Sequence, residues 1–570
     1  RAVATTSDWP TALPITRIVS TTLANLRRRG GLVSQWNFST VWRAVGATIP
    51  HEPALIQGDR TLTWAEFIRS SEAGASWLLD HGLAPGAKVA LYLYNSPEYL
   101  TGFAMALAAR CVPMNTNYRY EADELAYLFD NGDAEALIFH GVFTDKVDAV
   151  RARVPSLRHF IFVEDGTNPC PDWAVPFEQA ASHPVRDLPE ASPDDLIFLY
   201  TGGTTGMPKG VMWRNDDLFV RMNNGSFRKL PPEGSVDDVV SLLVNEGPGF
   251  AMLPACPLMH GTGLFSAINA LAIGGRVVML PSRKFDAAEL AHEIDDKKVN
   301  VAVIVGDPFA RPLLAVVRSE PGRYTLTSLF AMVSSGAMWS AEIKAGLLAH
   351  HGDMMLVDAF SSSEALGMGS SVSSNRGTKA TASFTLGENV RVVGDDGRDV
   401  TPGSDEIGKL MLGGRIPLGY YKDEAKTAAT FVVKDGVRYS VPGDMARVNV
   451  DGTLQLLGRG SQCINTAGEK VFPEEVEETL KTHPAVADAC VVGVPSERFG
   501  SAVVAAVELS PGQSATDEEL TAWVKSHLAA YKAPRLIRFV DTIGRAVNGK
   551  MDYGRHSREA ASYAEGLGGL

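Results

Sequence analysis

The stretch Tyr200-Thr201-Gly202-Gly203-Thr204-Thr205-Gly206-Met207-Pro208-Lys209-Gly210 constrains this chain more than any other. It follows Leu196–Leu199, a short apolar run of strand type, and leads into Val211-Met212-Trp213. Four glycines and three threonines in eleven residues cannot fill a core. They can present backbone N–H groups and hydroxyls to an anion, because glycine allows positive φ and close approach. Lys209 adds a positive charge. The chemistry suits a loop that grips a polyphosphate. It is not a Walker A loop, because Met207-Pro208 separate Gly206 from Lys209 and Gly210 follows the lysine. A flexible linker is the plainer alternative, but the flanking apolar runs argue against it.

At 570 residues the chain is too long for one core, and length alone suggests roughly three to four domain-sized units. The net charge of −13 argues against nonspecific nucleic-acid binding. The five cysteines, Cys111, Cys170, Cys256, Cys463 and Cys490, show no zinc or redox spacing, and a reducing cytoplasmic setting follows. No apolar run reaches the length of a membrane span. Arg27-Arg28-Arg29 is not followed by an apolar signal-type segment.

Residues 1–35 read as a peripheral N-terminal extension, with a helix suggested around Ile15–Leu26. Thr63-Trp64-Ala65-Glu66 has capping-box form and predicts a helix ending near Gly82. Strands are expected at Lys88–Leu93, Ala136–Phe139 and His159–Val163, with a helix starting at Ser96-Pro97. Residues 166–194 read as a surface connection. Further strands are expected at Arg276–Leu280, Val301–Val305 and Leu329–Val333. Strand–helix alternation predicts an α/β fold with largely parallel sheets. Near Leu457-Gly458-Arg459-Gly460-Ser461 the pattern changes. A helix starting at Phe472-Pro473, a strand at Ala489–Val494 and a helix at Leu520–Tyr531 follow. A domain boundary is placed at about residue 460, giving 36–459 and a small α+β unit at 460–570.

Thr-Gly-Gly-Thr-Thr-Gly-Met-Pro-Lys-Gly resembles the phosphate loop of the adenylate-forming superfamily, which includes acyl-CoA synthetases, adenylation domains and beetle luciferases. The resemblance would cover roughly residues 36 to 555. It implies a large N-terminal ATP- and acyl-binding domain and a mobile C-terminal lid hinged at Ser461. It also implies two half-reactions that use ATP, Mg2+ and CoA.

Within that resemblance, Asp358-Ala359-Phe360-Ser361-Ser362-Ser363-Glu364 is similar to the family's aromatic-Gly-x-Thr-Glu motif. Glu364 would bind the magnesium that bridges ATP phosphates, Phe360 would lie on adenine, and Ser363 keeps the usual hydroxyl. Ser361 departs from the family glycine. Gly336 and Ala337, in Ser334-Ser335-Gly336-Ala337, would join the nucleotide site. Tyr439-Ser440-Val441-Pro442-Gly443-Asp444 is similar to Tyr-x-Thr-Gly-Asp, so Asp444 would accept hydrogen bonds from the ribose hydroxyls. Arg459 would contact ribose or phosphate. Asn548-Gly549-Lys550 matches the family's Asn-Gly-Lys. Lys550 would stabilise charge developing at the carboxylate and α-phosphate, an effect commonly worth about 3–4 kcal/mol of barrier. Thr201 and Lys209 complete the catalytic set, and Gly202, Gly203, Thr204, Thr205 and Gly206 the phosphate cradle.

The lid loop around Ala467-Gly468-Glu469-Lys470 would line the thiol channel, with Lys532 and Arg535 near CoA phosphates. His260 falls at an acyl-pocket gate, and Val305, Phe309 and Met338 are pocket candidates. Cys256 and Cys463 read as packing residues. Gly210-Val211-Met212-Trp213-Arg214 and Pro257-Leu258-Met259-His260-Gly261-Thr262-Gly263 resemble actinobacterial synthetases acting on steroid side chains. That resemblance implies a bulky polycyclic acid, steroid or terpenoid, with a fatty acid as the alternative, and a homodimer by analogy. Two other readings compete with the full ligase. One is an enzyme specialised for a single half-reaction, motivated by Ser361, Ala365 and Ala467. The other is a non-catalytic nucleotide sensor, which retention of Glu364 and Lys550 disfavours.

Overall fold

The computed structural model describes residues 35–203, 206–337, 339–377, 383–466, 469–496, 499–546, 549 and 551–566. It is a mixed α/β protein with a large N-terminal domain and a small C-terminal domain. Helices begin where the sequence supplies caps. Thr63 accepts from Glu66 N and Glu66 reaches back to Thr63 N, closing the capping box of the helix Trp64–Asp80. Ser96 accepts from Tyr99 N, and Pro97 opens the helix Pro97–Ala108, where no N–H is required of it.

Two parallel sheets form the N-terminal core. In the first, Pro53–Gln57, Arg276–Met279, Ala251–Pro254, Val301–Ile304, Ala331–Ser334 and Met355–Ser362 lie side by side and parallel. In the second, Val112–Asn115, Lys88–Tyr92, Ala134–His140 and His159–Val163 are parallel neighbours, and Leu196–Gly203 joins beside Val112–Asn115. Both faces are covered, so these strands are mostly buried, except Met355–Ser362, which is half-buried along most of its length. The expectation of parallel sheets holds for these cores but not for residues 383–459. There the strands pair antiparallel, and Ser383–Leu386 joins Leu454–Arg459 to carry the first sheet onward.

The C-terminal sheet pairs Val486–Ser496 with Gly500–Leu509 antiparallel and adds Leu536–Val540 in parallel. Its two apolar clusters draw only on residues from Ile464 onward. The helix expected over Leu520–Tyr531 is Asp517–His527, capped by Thr516. It ends because Leu528 turns to extended backbone, and Ala530–Lys532 forms a separate tight turn. The connection at 166–194 holds a short strand, Val175–Pro176, and a one-turn helix, Phe177–Ala180. Residues 1–34, including the helix expected near Ile15–Leu26, lie outside the described residues. No helix among the described residues is long and apolar enough to cross a membrane.

Candidate active site

The glycine-threonine stretch extends a β-hairpin beyond the apolar run that precedes it. Leu196–Gly203 pairs antiparallel with Gly206–Arg214, placing Thr201 opposite Lys209 and Gly203 opposite Gly206. Thr204 and Thr205 lie outside the described residues. Gly210 is required by close approach, since a Cβ there would come within 2.9 Å of the Tyr200 ring. Buried Asn115 fixes the hairpin's entry. Its side chain accepts from Tyr200 N at 2.6 Å and donates to Tyr200 O at 2.9 Å and Met259 O at 2.6 Å. One amide thus joins the phosphate hairpin to the loop carrying His260, which precedes the helix Gly261–Ala272.

Lys209 does not point freely at a ligand: it forms an ion pair with Asp423, the cap of the helix Glu424–Thr430. Burial alone would raise the Asp423 carboxyl, but hydrogen bonds from Lys209 and the Lys426 backbone hold it below the ordinary value.

Glu364 sits at the tip of a second hairpin, between Met355–Ser362 and Ala365–Ser373. It is buried, and Tyr420 Oη donates to its Oε1 at 2.7 Å. Among the described residues its other oxygen has no protein donor. Trp213, on the strand Gly206–Arg214 of the phosphate hairpin, donates its indole N–H to Ser363 O at 3.0 Å, so the two hairpins are tied together. Phe360 packs on Phe384 with centroids 5.5 Å apart, and the Ser361 hydroxyl accepts from Gly367 N at 2.9 Å.

Asp444 and Arg459 face each other across an antiparallel pair, with Nε 3.5 Å from Oδ1. Asp444 is buried, and among the described residues its Oδ2 has no partner. Burial raises its carboxyl above the ordinary range, Arg459 opposes this, and the nearby negative Glu364 reinforces it. A buried carboxylate oxygen with no donor fits a ligand that brings hydroxyls, because leaving it unpaired is costly.

The small domain touches the N-terminal domain at Val305 and Ala337. Gly549 has φ +71, and a Cβ there would lie 2.8 Å from Val305 Cγ1 and 3.1 Å from Ala337 Cβ. Gly336, at φ +95, faces Val305 and the Thr262 hydroxyl. The Gly549 carbonyl accepts from Arg545 at 3.3 Å, and Arg545 is itself held by Asp488 through bonds of 2.6 and 2.8 Å. Lys550 and Met338 lie outside the described residues, as do Ala467 and Gly468.

Ser461 is exposed in the tight turn Gly460–Gln462. Next to that turn, the Glu474 carboxylate packs against Gly458. Burial and the neighbouring Glu477 push the Glu474 carboxyl up, and burial raises Glu477 as well. Glu469 and Lys470 are exposed on the hairpin Ile464–Thr466/Glu469–Val471. They share a cavity of about 320 Å³ with Arg447, Tyr531 and Lys532. The Lys532 ammonium is held by both oxygens of Glu475 at 2.6 Å, and the Arg535 guanidinium lies over the Phe499 ring. Burial pushes the Cys256 thiol up to about 12, in keeping with a packing role; Cys463 is half-buried and also raised.

Glu364 lies close enough to Asp444 to act on its carboxyl, Asp444 pairs with Arg459, and Gly549 of the small domain meets Val305 and Ala337. His260 precedes the helix Gly261–Ala272, and Phe309 lies on the helix Asp307–Ser319 that follows Val305. Sequence reasoning missed Asn115, Tyr420, Asp423, Arg545 and Asp488. Asn115 alone left a signal, a lone amide ending an apolar strand run.

Comparison with known proteins places this geometry. The AMP-binding enzyme family matches residues 42–421, and the AMP-binding enzyme C-terminal domain matches 475–550. A 3-oxocholest-4-en-26-oate--CoA ligase of Rhodococcus rhodochrous is 42% identical over 520 residues, covering 89% of this chain and 92% of its own. The medium-chain acyl-CoA ligase Mig of Mycobacterium avium is 40% identical, covering 91% and 97%. The crystal structure of the anthranilate CoA ligase AuaEII with anthranoyl-AMP superposes with TM-score 0.79 at 22% identity, over 93% of this chain and 98% of that one. The chain belongs to the AMP-binding enzyme family, whose members form adenylates.

Proposed function

We propose that this chain is an AMP-forming acyl-CoA synthetase that adenylates a bulky carboxylic acid and then transfers the acyl group to CoA. The buried Glu364 and Asp444 carboxyls, close enough to act on one another and each with an oxygen that has no protein donor among the described residues, carry this reading. The sequence likeness to ligases named for a steroid acid and for medium-chain acids supports the choice of acid.

In the first step the acid carboxylate attacks the α-phosphate of ATP, and pyrophosphate leaves. Asp444 Oδ2 accepts from the ribose, and Arg459 beside it opposes the upward push of burial on that carboxyl. Thr201 through Gly206 cradle the leaving phosphates with backbone N–H groups and hydroxyls. Lys209 stays anchored on Asp423 and contributes its charge from there. Magnesium suits Glu364, because one carboxylate with an oxygen that has no protein donor, plus phosphate oxygens, meets its needs. When bound, it would neutralise charge on the phosphates. Lys550, next to the docked Gly549, stabilises the charge gathering at the α-phosphate.

In the second step the lid pivots at Ser461, withdraws Lys550 and brings the Gly468 loop to the site. The CoA thiol gives up its proton to solvent and its sulfur attacks the acyl carbon, so that the C–S bond forms, the acyl C–O bond to the phosphate breaks and AMP leaves. One mobile domain serving both steps separates the groups that each step needs. The Lys532–Glu475 pair must open before Lys532 can meet a CoA phosphate. We place the enzyme in the cytoplasm as a homodimer; light scattering tests the latter.

Acid-dependent exchange between pyrophosphate and ATP, run beside a thioester assay, is the test. Exchange together with thioester is expected. Exchange alone would mean a carrier-protein acceptor. Thioester only from a supplied acyl-adenylate would mean a transferase without its own adenylation. Neither activity with any acid would overturn the ligase reading.

A further inference from the structure

A second cavity, of about 310 Å³, opens beside the acyl candidates. That volume is at the low end of the ~300–1,000 Å³ range of small-molecule sites. Ala255 and Pro257 line it from the loop that leads to His260, and Phe309 lines it from the helix after Val305. Asn95 fixes that loop, donating to Cys256 O at 3.0 Å and accepting from Leu258 N at 2.7 Å. One wall is apolar: the Phe285 and Phe309 rings lie 4.6 Å apart.

The opposite wall is polar, and both of its cations are paired. Arg60 is paired with buried Glu98, and Arg283 with Asp165 at 2.9 Å. The Arg283 guanidinium also lies over the Tyr94 ring. Glu164 and Glu178 add negative charge at the lining. The cations are therefore engaged, and an anionic ligand would find no complementary charge. Three neutral groups remain. The Tyr94 and Tyr118 rings lie 4.6 Å apart, and His140 Nδ1 accepts from Tyr94 N at 3.1 Å, which puts the ring proton on Nε2. Burial lowers His140 to about 4 and raises Tyr118 to about 12, so both stay neutral at physiological pH. Among the described residues, neither tyrosine hydroxyl nor His140 Nε2 has a hydrogen-bond partner. O–H and N–H donors without charge match a carbonyl oxygen better than a carboxylate or a phosphate.

We propose that this cavity receives the end of the acid remote from its reacting carboxylate and hydrogen-bonds a ring carbonyl there through Tyr94, Tyr118 and His140. The proposal rests on the bulky-acid reading above and adds the functional group that the enzyme reads. Amide carbonyls of the CoA arm share this chemistry, so the test separates the two sources.

The measurement is kcat/KM for a steroid side-chain acid bearing a ring ketone, for the same acid without the ketone, and for decanoate. Each is run with the parent enzyme and with Tyr118→Phe and Tyr94→Phe, which remove one hydroxyl and keep the ring. The parent is expected to prefer the ketone by about tenfold or more, since a site built around a polar group rejects the analogue lacking it. That ratio should fall towards one in either variant. Because it is a ratio within one protein, a change in folded fraction cancels. A parent with no preference, or a preference that survives both substitutions, overturns the proposal. A raised KM for CoA with an unchanged acid ratio assigns the cavity to the thiol arm and also overturns it. Turnover of decanoate alone refutes the bulky-acid reading itself, and this proposal with it.

Discussion

The two walls of the site are held in different ways. The N-terminal wall is locked from behind. Asn115 binds Tyr200 and Met259, Trp213 ties the phosphate hairpin to Ser363, and Tyr420 orients Glu364. Each is a buried or half-buried bond donated by a side chain that stands on a sheet strand. The lid wall is placed by surface fit. Gly549 rests against Val305 and Ala337, and its turn is shaped by Arg545 and Asp488 inside the lid. The fixed wall is organised before substrate arrives, and so adds no reorganisation to the reaction. The small domain's wall is complete within itself, so the proposed pivot at Ser461 would not require it to be rebuilt.

Breaking the lid wall at its tip should have the largest effect. Lys550→Ala is expected to lower pyrophosphate exchange by about 10²–10³-fold, roughly 3–4 kcal/mol, while calorimetry shows ATP binding largely intact. Exchange at the parent rate would remove Lys550 from the mechanism. Breaking the lid's internal support comes next. Burial would raise Asp488, but its bonds to Arg545 hold it below the ordinary value. Arg545→Ala should therefore strand a mostly buried charge, at a cost of about 2–3 kcal/mol in the lid. Adenylation should fall more than thioester formation from a supplied acyl-adenylate; equal falls would contradict the positioning role.

Breaking the fixed wall should look different. Asn115→Ala leaves three buried backbone groups without partners and should cost about 2 kcal/mol, seen as a lower melting temperature. Both half-reactions should decline together, because the hairpin and the His260 loop serve both; a loss confined to one would separate the two loops. The smallest effect sharpens the comparison through pH. The buried Glu474 carboxyl is raised, so the docked lid keeps a proton that an exposed carboxylate would release. Docking is then fully favoured below the ordinary carboxylate value and weakens as pH rises through the raised one. Glu474→Gln should flatten the fall of adenylation relative to thioester formation from mildly acidic to mildly alkaline conditions. An unaltered profile would mean that other groups carry it.

How much of this was legible follows from sequence separation. Capping boxes, apolar strand runs and the glycine-rich stretch are local, and Thr63, Ser96 and Leu196–Leu199 stand where their neighbours predict. Asn115 reads as an ordinary polar strand end until Met259, 144 residues away, arrives beside it. Lys209 and Lys532 looked available for ligands because their partners are distant: Asp423 is 214 residues away and Glu475 is 57. Charge in a sequence has a sign but no partner; only the fold decides which lysines are already engaged. The antiparallel run at 383–459 was missed for a related reason. Its strands are short and half-exposed, and their turns lie among glycines and aspartates that read as loop.

The lid's self-contained cores also bear on the chain as a covalent object. Both clusters fill without any residue before Ile464, and no residue of the turn Gly460–Gln462 is buried. The link across that turn carries no packing. Its physical service is to keep two folded pieces near each other, at an effective concentration of about millimolar for a short tether. A chain cut at the turn would be a two-component enzyme whose rate depends on dilution, and the concentration at which its activity halves would measure how strongly the lid grips the body.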